Sequence, residues 1–152
     1  MGGYDFPGSN SSIDLHALTG WIPERKALRD KDSSSIFDLL KTRMASGHVL
    51  STMATGDLSE ELEEKSGLVP GHAYALLDLR SFNGLKFVKL KNPWSERRWK
   101  GKYSYRDLAS WTPALKRALS YDPETNNKKD DGIFWIEWSN MVMFYDTCYM
   151  SW

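Results

Sequence analysis

The sequence predicts an α+β domain: an antiparallel sheet with short helices flanking it. Three observations carry that expectation. Two apolar runs, His72–Leu79 and Leu85–Lys91, are joined through Ser81-Phe82-Asn83-Gly84, and Asn-Gly between such runs marks a hairpin because both residues accept positive φ. Further β-branched and aromatic runs lie at 48–55, 133–138 and 147–152. Helical periodicity is confined to short stretches between them.

In chain order, residues 1–12 (MGGYDFPGSNSS) read as a glycine- and serine-rich lead-in, and 13–152 as one folded unit. Ile13–Ile22, broken by Gly20 and Pro23, is expected to be a strand and turn. Ser33–Ser35 offers capping oxygens ahead of Ile36, Leu39, Leu40 and Met44, and Gly47 follows as a stop, so the spacing predicts a helix over 35–46. HVLSTMAT (48–55) is a strand. GDLSEELEEKS (56–66) carries five carboxylates, and Asp57 with Glu60 has capping-box spacing, which reads as a brief exposed helical turn or an acidic loop. Thr112-Pro113 opens a helix whose apolar stripe is Leu115, Ala118 and Leu119. Residues 122–132 are polar turn material. IFWIEW (133–138) is a strand, SNMVMFY (139–145) a short helix capped by Ser139, and TCYMSW (147–152) a closing strand.

Bulk properties remove several classes of function. A chain of 152 residues is one domain, and 41% hydrophobic and 13% aromatic residues suit a packed interior rather than disorder. Twenty basic residues cancel 20 acidic ones, so net charge makes no case for nucleic acid or an anionic membrane. No apolar stretch approaches the roughly 20 residues that span a bilayer. The N-terminus lacks a secretory pattern, which makes the cytoplasm the expected compartment, and Met-Gly-Gly is compatible with a piece of a longer chain. The single cysteine, Cys148, excludes an internal disulfide and a cysteine-rich zinc site. His16 and His48 have no ligand-spaced partners. The basic run from Lys86 to Lys102 reads as a solvated loop rimming a cleft, and Trp21, Trp111, Trp135, Trp138 and Trp152 as core or interface residues.

The hairpin also brings chemistry together. A three-residue loop of Phe82-Asn83-Gly84, with Gly84 left-handed, makes opposed residue numbers sum to 166. His72 then faces Trp94, and Asn92 sits one diagonal step away on the same side of the sheet. A histidine that takes a proton from a nucleophile needs its other nitrogen held by a third group. Asparagine does this without adding charge, as suits a cysteine nucleophile whose thiolate pairs with imidazolium. Spacing alone leaves two readings open: a base with its orienting partner, or a satisfied structural histidine beside a strand-terminating Asn-Pro-Trp.

GHAYALLDL (71–79) followed by LKFVKLKNPWSERRWKGKYS (85–104) resembles the second subdomain of the calpain cysteine-protease core. SSIDLHALTGW (11–21) is similar to the strand that leads into that subdomain. DDGIFWIEWSNMVMFYDTCYMSW (130–152) is similar to its closing strand, helix and strand. LTGWIPE, and serine after NPW where conventional calpains have glycine, are most similar to the PalB-type branch. The resemblance implies the second lobe of a papain-like protease, with its sheet curled into a partial barrel. It makes His72 the general base, Asn92 its orienting partner and Trp94 the indole shielding the pair. The nucleophilic cysteine would lie in a preceding subdomain, the partner this chain requires. Protein substrates would bind between the two, and this chain alone would be inactive. Cys148, in a strand with no basic neighbour, is not a substitute. The alternative is a non-catalytic calpain-like scaffold. The resemblance also locates calcium-binding acids of conventional calpains at positions held here by Arg98, Tyr105, Asp131 and Ile133, so no cofactor and no metal ligand are expected.

Overall fold

The computed structural model describes residues 11–29, 32–126 and 131–152. Six strands form one open antiparallel sheet: β1 (Pro23–Ala27), β2 (Leu50–Thr55), β3 (Ala73–Phe82), β4 (Leu85–Lys91), β5 (Ile133–Glu137) and β6 (Tyr145–Ser151). Their order is β1-β6-β2-β3-β4-β5, leaving β1 and β5 as edges. The helices are α1 (Ser11–Thr19), α2 (Ser33–Ala45), α3 (Glu60–Ser66), α4 (Pro113–Leu119), α5 (Pro123–Asn126) and α6 (Trp138–Phe144). The α+β class read from the sequence is the class observed. No helix among the described residues is long and apolar enough to cross a membrane.

Alternation along the strands divides the interior in two. Val88, Leu90, Phe134 and Ile136 join Met53, Tyr74, Leu76 and Cys148 in the larger core, where α2 contributes Ile36, Phe37 and Leu40. Phe87 and Trp135, pointing the other way, pack with Trp111, Leu115, Leu119 and Tyr121 under α4. Trp111, Trp135 and Trp138 are buried as expected, whereas Trp152 is 43% exposed and donates its indole N–H to Glu24 at 2.9 Å.

Several boundaries depart from the sequence reading. Residues 11–19 are helical, not a strand; Gly20, at φ 70°, ends the helix and donates its N–H to the His16 carbonyl at 2.8 Å. The strand comes later, as PERKA, which has no apolar run to reveal it. It is an edge strand, and charge and proline are what protect an edge from further pairing. Glu24 accepts from Lys26, Arg43 and Trp152, and the first two hold its carboxyl down at about 2. Helix α2 begins after Asp32 with no side-chain cap, since the Ser35 hydroxyl donates backward to the Asp32 carbonyl. Helix α3 is capped by Ser59 accepting from Leu62 N, not by Asp57. Helix α6 starts at Trp138 after Glu137, so Ser139 is inside it and caps nothing. Thr112 does cap α4, with Pro113 at the first position. Part of the expected polar turn, 123–126, is α5; residues 127–130 and the lead-in 1–10 lie outside the described residues.

The hairpin turn also differs. Asn83 (φ 47°) and Gly84 (φ 74°) alone make it, with Phe82 already paired to Leu85. Two left-handed residues in succession define the two-residue turn that matches strand twist. Opposed numbers therefore sum to 167 near the turn. The register then shifts between Leu76 and Asp78, so that Ala75 faces Lys91 and the sum becomes 166 at the open end. Leu77 is the extra, exposed residue, and Leu76 and Leu79 are buried on either side of it. A bulge of this kind reverses alternation along one strand only.

Candidate active site

His72 stands immediately before β3 and Asn92 immediately after β4, at the open end of the hairpin. His72 Nε2 lies 2.9 Å from Asn92 Oδ1. Asn92 is fully buried, and its side chain makes every bond available to it. Nδ2 donates to the carbonyls of Glu96 and Arg97, while Oδ1 accepts from Trp94 N at 3.1 Å. Two carbonyls on one side and an N–H on the other fix which end of the amide is oxygen. Facing an acceptor, Nε2 carries the proton, and Nδ1 is left with the lone pair.

The chain after Asn92 doubles back to supply those carbonyls. Ser95 and Arg97 adopt positive φ of 58° and 53°, a conformation that L-residues sustain only when their surroundings hold it. Arg97 is held by an ion pair to Glu63 of α3. From the other side, Asn92 N donates to Gly132 O at 3.0 Å. A side chain on Gly132 would sit 2.6 Å from the Asn92 carbonyl, so only glycine permits this approach.

Two aromatic rings meet the imidazole. Trp94 lies with ring centres 4.5 Å apart and planes tilted 47°, and Tyr74 presents an edge at 5.0 Å. Trp94 itself is 58% exposed, so it covers the histidine while leaving its own outer face open. Tyr74 is fully buried, burial pushes its phenol up, and its oxygen accepts from Val69 N at 3.0 Å. Tyr74 was visible in the sequence two places after His72. Thr55, which bonds the His72 backbone, carries no signal in the spacing at all.

Cys148 is distant from these roles. It is fully buried in β6, paired with Lys26 and Met53, and burial pushes its thiol up to about 11. A thiol so disposed is a packing group, not a nucleophile. His16 Nδ1 bonds the Trp21 carbonyl at 2.8 Å. Several cations of the basic run are engaged within the fold: Lys86 with Asp38, Arg97 with Glu63, and Lys102 over the Tyr103 ring.

Residues 2–151 match the family model described as calpain family cysteine protease. The chain belongs to the calpain family. It is 56% identical to Calpain-7 of Homo sapiens and to Calpain-7 of Mus musculus over 158 residues, covering 100% of this chain and 19% of each relative. It is 37% identical over 155 residues to the calpain-like protease palB/cpr-8 of Neurospora crassa, covering 99% of this chain and 16% of that protein. This calpain segment thus spans about a fifth or less of the length of those relatives.

The calcium-binding positions of conventional calpains can be tested against the donors present. Calcium takes six to eight oxygen ligands. Here Arg98, 8% exposed, places its guanidinium 4.2 Å from the centre of the Tyr105 ring, and an Asp131 oxygen already accepts from Ile133 N. At those positions stand a cation on an aromatic face and a carboxylate engaged by the backbone N–H of Ile133. Among the described residues no three His, Cys, Asp or Glu side chains gather as a metal site.

Proposed function

We propose that this calpain lobe supplies the general base of a cysteine endopeptidase, acting on a thiol carried by a separate lobe. The observation that supports this reading is the saturated Asn92 amide. It presents one acceptor to His72 Nε2–H and so reserves Nδ1 for chemistry. In acyl transfer, Nδ1 takes the thiol proton as sulfur attacks the peptide carbonyl. It then returns that proton to the leaving amine, and finally activates the water that releases the acyl group. Asn92 keeps the imidazole in one tautomer and one plane throughout. Trp94 shields the pair from water on the face it covers.

The same reading makes the chain inactive alone, because its only cysteine is the buried Cys148. The partner lobe closes the site, and protein substrates lie between the two. We place the activity in the cytoplasm, where a free catalytic thiol stays reduced. The test is to combine this chain with a cysteine-bearing calpain lobe and follow cleavage of a fluorogenic peptide. Activity that appears on mixing and disappears with His72→Ala is the expected result. Activity that survives His72→Ala overturns the assignment, and none on mixing favours the scaffold alternative.

We further propose that this lobe holds its conformation without calcium, Arg98 and Tyr105 standing where calcium-binding acids stand in conventional calpains. Calorimetric titration of the chain with calcium chloride is expected to show no binding in the micromolar range. Micromolar binding that is lost in Asp131→Ala would refute this.

A further inference from the structure

The β2–β3 ladder pairs Thr52 with Ala75, Met53 with Tyr74 and Ala54 with Ala73. Continued by one step it would pair Thr55 with His72, and half of that pair exists: Thr55 N donates to His72 O at 3.0 Å. In a regular ladder His72 N would return a bond to the Thr55 carbonyl. It donates instead to the Thr55 hydroxyl, at 2.9 Å. The same hydroxyl donates to the Val69 carbonyl at 2.6 Å. One buried side chain, 5% exposed, thus ties both ends of the Val69-Pro70-Gly71-His72 turn to β2. The phenol oxygen of Tyr74 takes the remaining Val69 N–H, and Gly71, at φ 56°, donates its N–H to Gly56 O at 3.1 Å.

We infer that Thr55 is a positioning residue for the base, its hydroxyl fixing the His72 backbone so that Nε2 reaches Asn92 Oδ1. This rests on the reading of His72 as base. The ladder holds His72 through its carbonyl alone, so its N–H is fixed by the Thr55 hydroxyl. The task needs one oxygen that accepts from His72 N and donates to Val69 O at once, which a hydroxyl does and a methyl cannot. Branching at Cβ restricts the rotamers available to that oxygen. Misplacing a catalytic group by about 1 Å costs on the order of 100-fold in rate.

Thr55→Val keeps the shape and removes both bonds; Thr55→Ser keeps both bonds and removes the methyl. In long-range proton–nitrogen NMR spectra of the chain, wild type and Thr55→Ser should show the Nε2–H tautomer of His72, and Thr55→Val a mixture. In the assembled protease, Thr55→Val should lower kcat about 10- to 100-fold with KM little changed, and Thr55→Ser should restore most of it. An unaltered tautomer and kcat in Thr55→Val would overturn the inference. Damage by Thr55→Ser equal to that by Thr55→Val would also overturn it, because the residue would then act through packing. If Thr55→Val does not fold, Tyr74→Phe decides: it removes the companion hydroxyl and should blur the tautomer too, and an unchanged spectrum refutes the clamp. Loss of the base reading is separable, since it would appear as undiminished activity in His72→Ala while the spectra still report on Thr55.

Discussion

On the proposed role of Asn92 as the partner of the base, Asn92→Ala is expected to lower peptide hydrolysis by the reconstituted lobes about 100- to 10,000-fold, chiefly in kcat. Removing the group that orients a catalytic histidine carries a cost of this order. The substitution leaves Nε2–H without its acceptor, so either ring nitrogen is free to carry the proton. It also strands the carbonyls of Glu96 and Arg97, both partnered by Nδ2 in the native lobe. Glu96 and Arg97 are exposed, so each lost hydrogen bond costs about 0.5–1.5 kcal/mol, and a stability loss of roughly 1–3 kcal/mol should accompany the kinetic one. Asn92→Asp separates the two effects. It preserves an acceptor for His72 but turns oxygen toward two carbonyl oxygens, so stability should fall as far or further while kcat falls less. Steady-state kinetics and urea unfolding of both variants read the difference. Equal kcat losses in the two would mean that Asn92 matters only to the loop.

Gly132→Ala is the other large effect. Gly132 combines φ of 72° with a Cβ position 2.6 Å from the Asn92 carbonyl oxygen and 3.0 Å from Ser95 Cα. The left-handed backbone alone costs a side chain about 1–2 kcal/mol, and forcing backbone apart in a packed interior about 1–3 more. The sum, roughly 2–5 kcal/mol, should lower the melting temperature by about 5–15 °C in a chain of this length. Gly84→Ala provides the control, because Gly84 has a similar φ of 74° with nothing within 4 Å. It should cost only the backbone term. Comparable melting temperatures for the two variants would show that the contact with Asn92 is not tight.

The hairpin, the closing strands and the α2 and α4 helices were readable because alternation, Asn-Gly, Thr-Pro and Gly47 each act locally. The edge strand was not. PERKA is extended because β6 pairs with it along its length, and nothing in its own side chains prefers that state. Caps were misread for a related reason: Asp57, Ser59 and Ser139 all have suitable oxygens, and only backbone direction decides which one meets an N–H. At the site, His72, Asn92 and Trp94 stood out as residue types in a suggestive order. Thr55 and Gly132 did not, since their importance lies in which distant backbone passes beside them. The expected register at the open end matched the observed one for the wrong reason: the turn is one residue shorter than expected, and Leu77 makes up the difference.

That bulge has a consequence for folding. A hairpin zipping outward from Asn83-Gly84 in unbroken alternation would carry Leu77 into the ladder and keep opposed numbers at 167. His72 and Asn92 would then emerge on opposite faces, and Tyr74 and Leu76 would turn away from the larger core. Local turn chemistry therefore favours a register in which the two groups never meet. What selects the other register is burial of Tyr74 and Leu76 against Met53 and the residues of α2, contacts that close only when β2 and the helix have docked. The His72–Asn92 pair is in this sense a late product of tertiary assembly, and a peptide cut to the hairpin alone would not contain it.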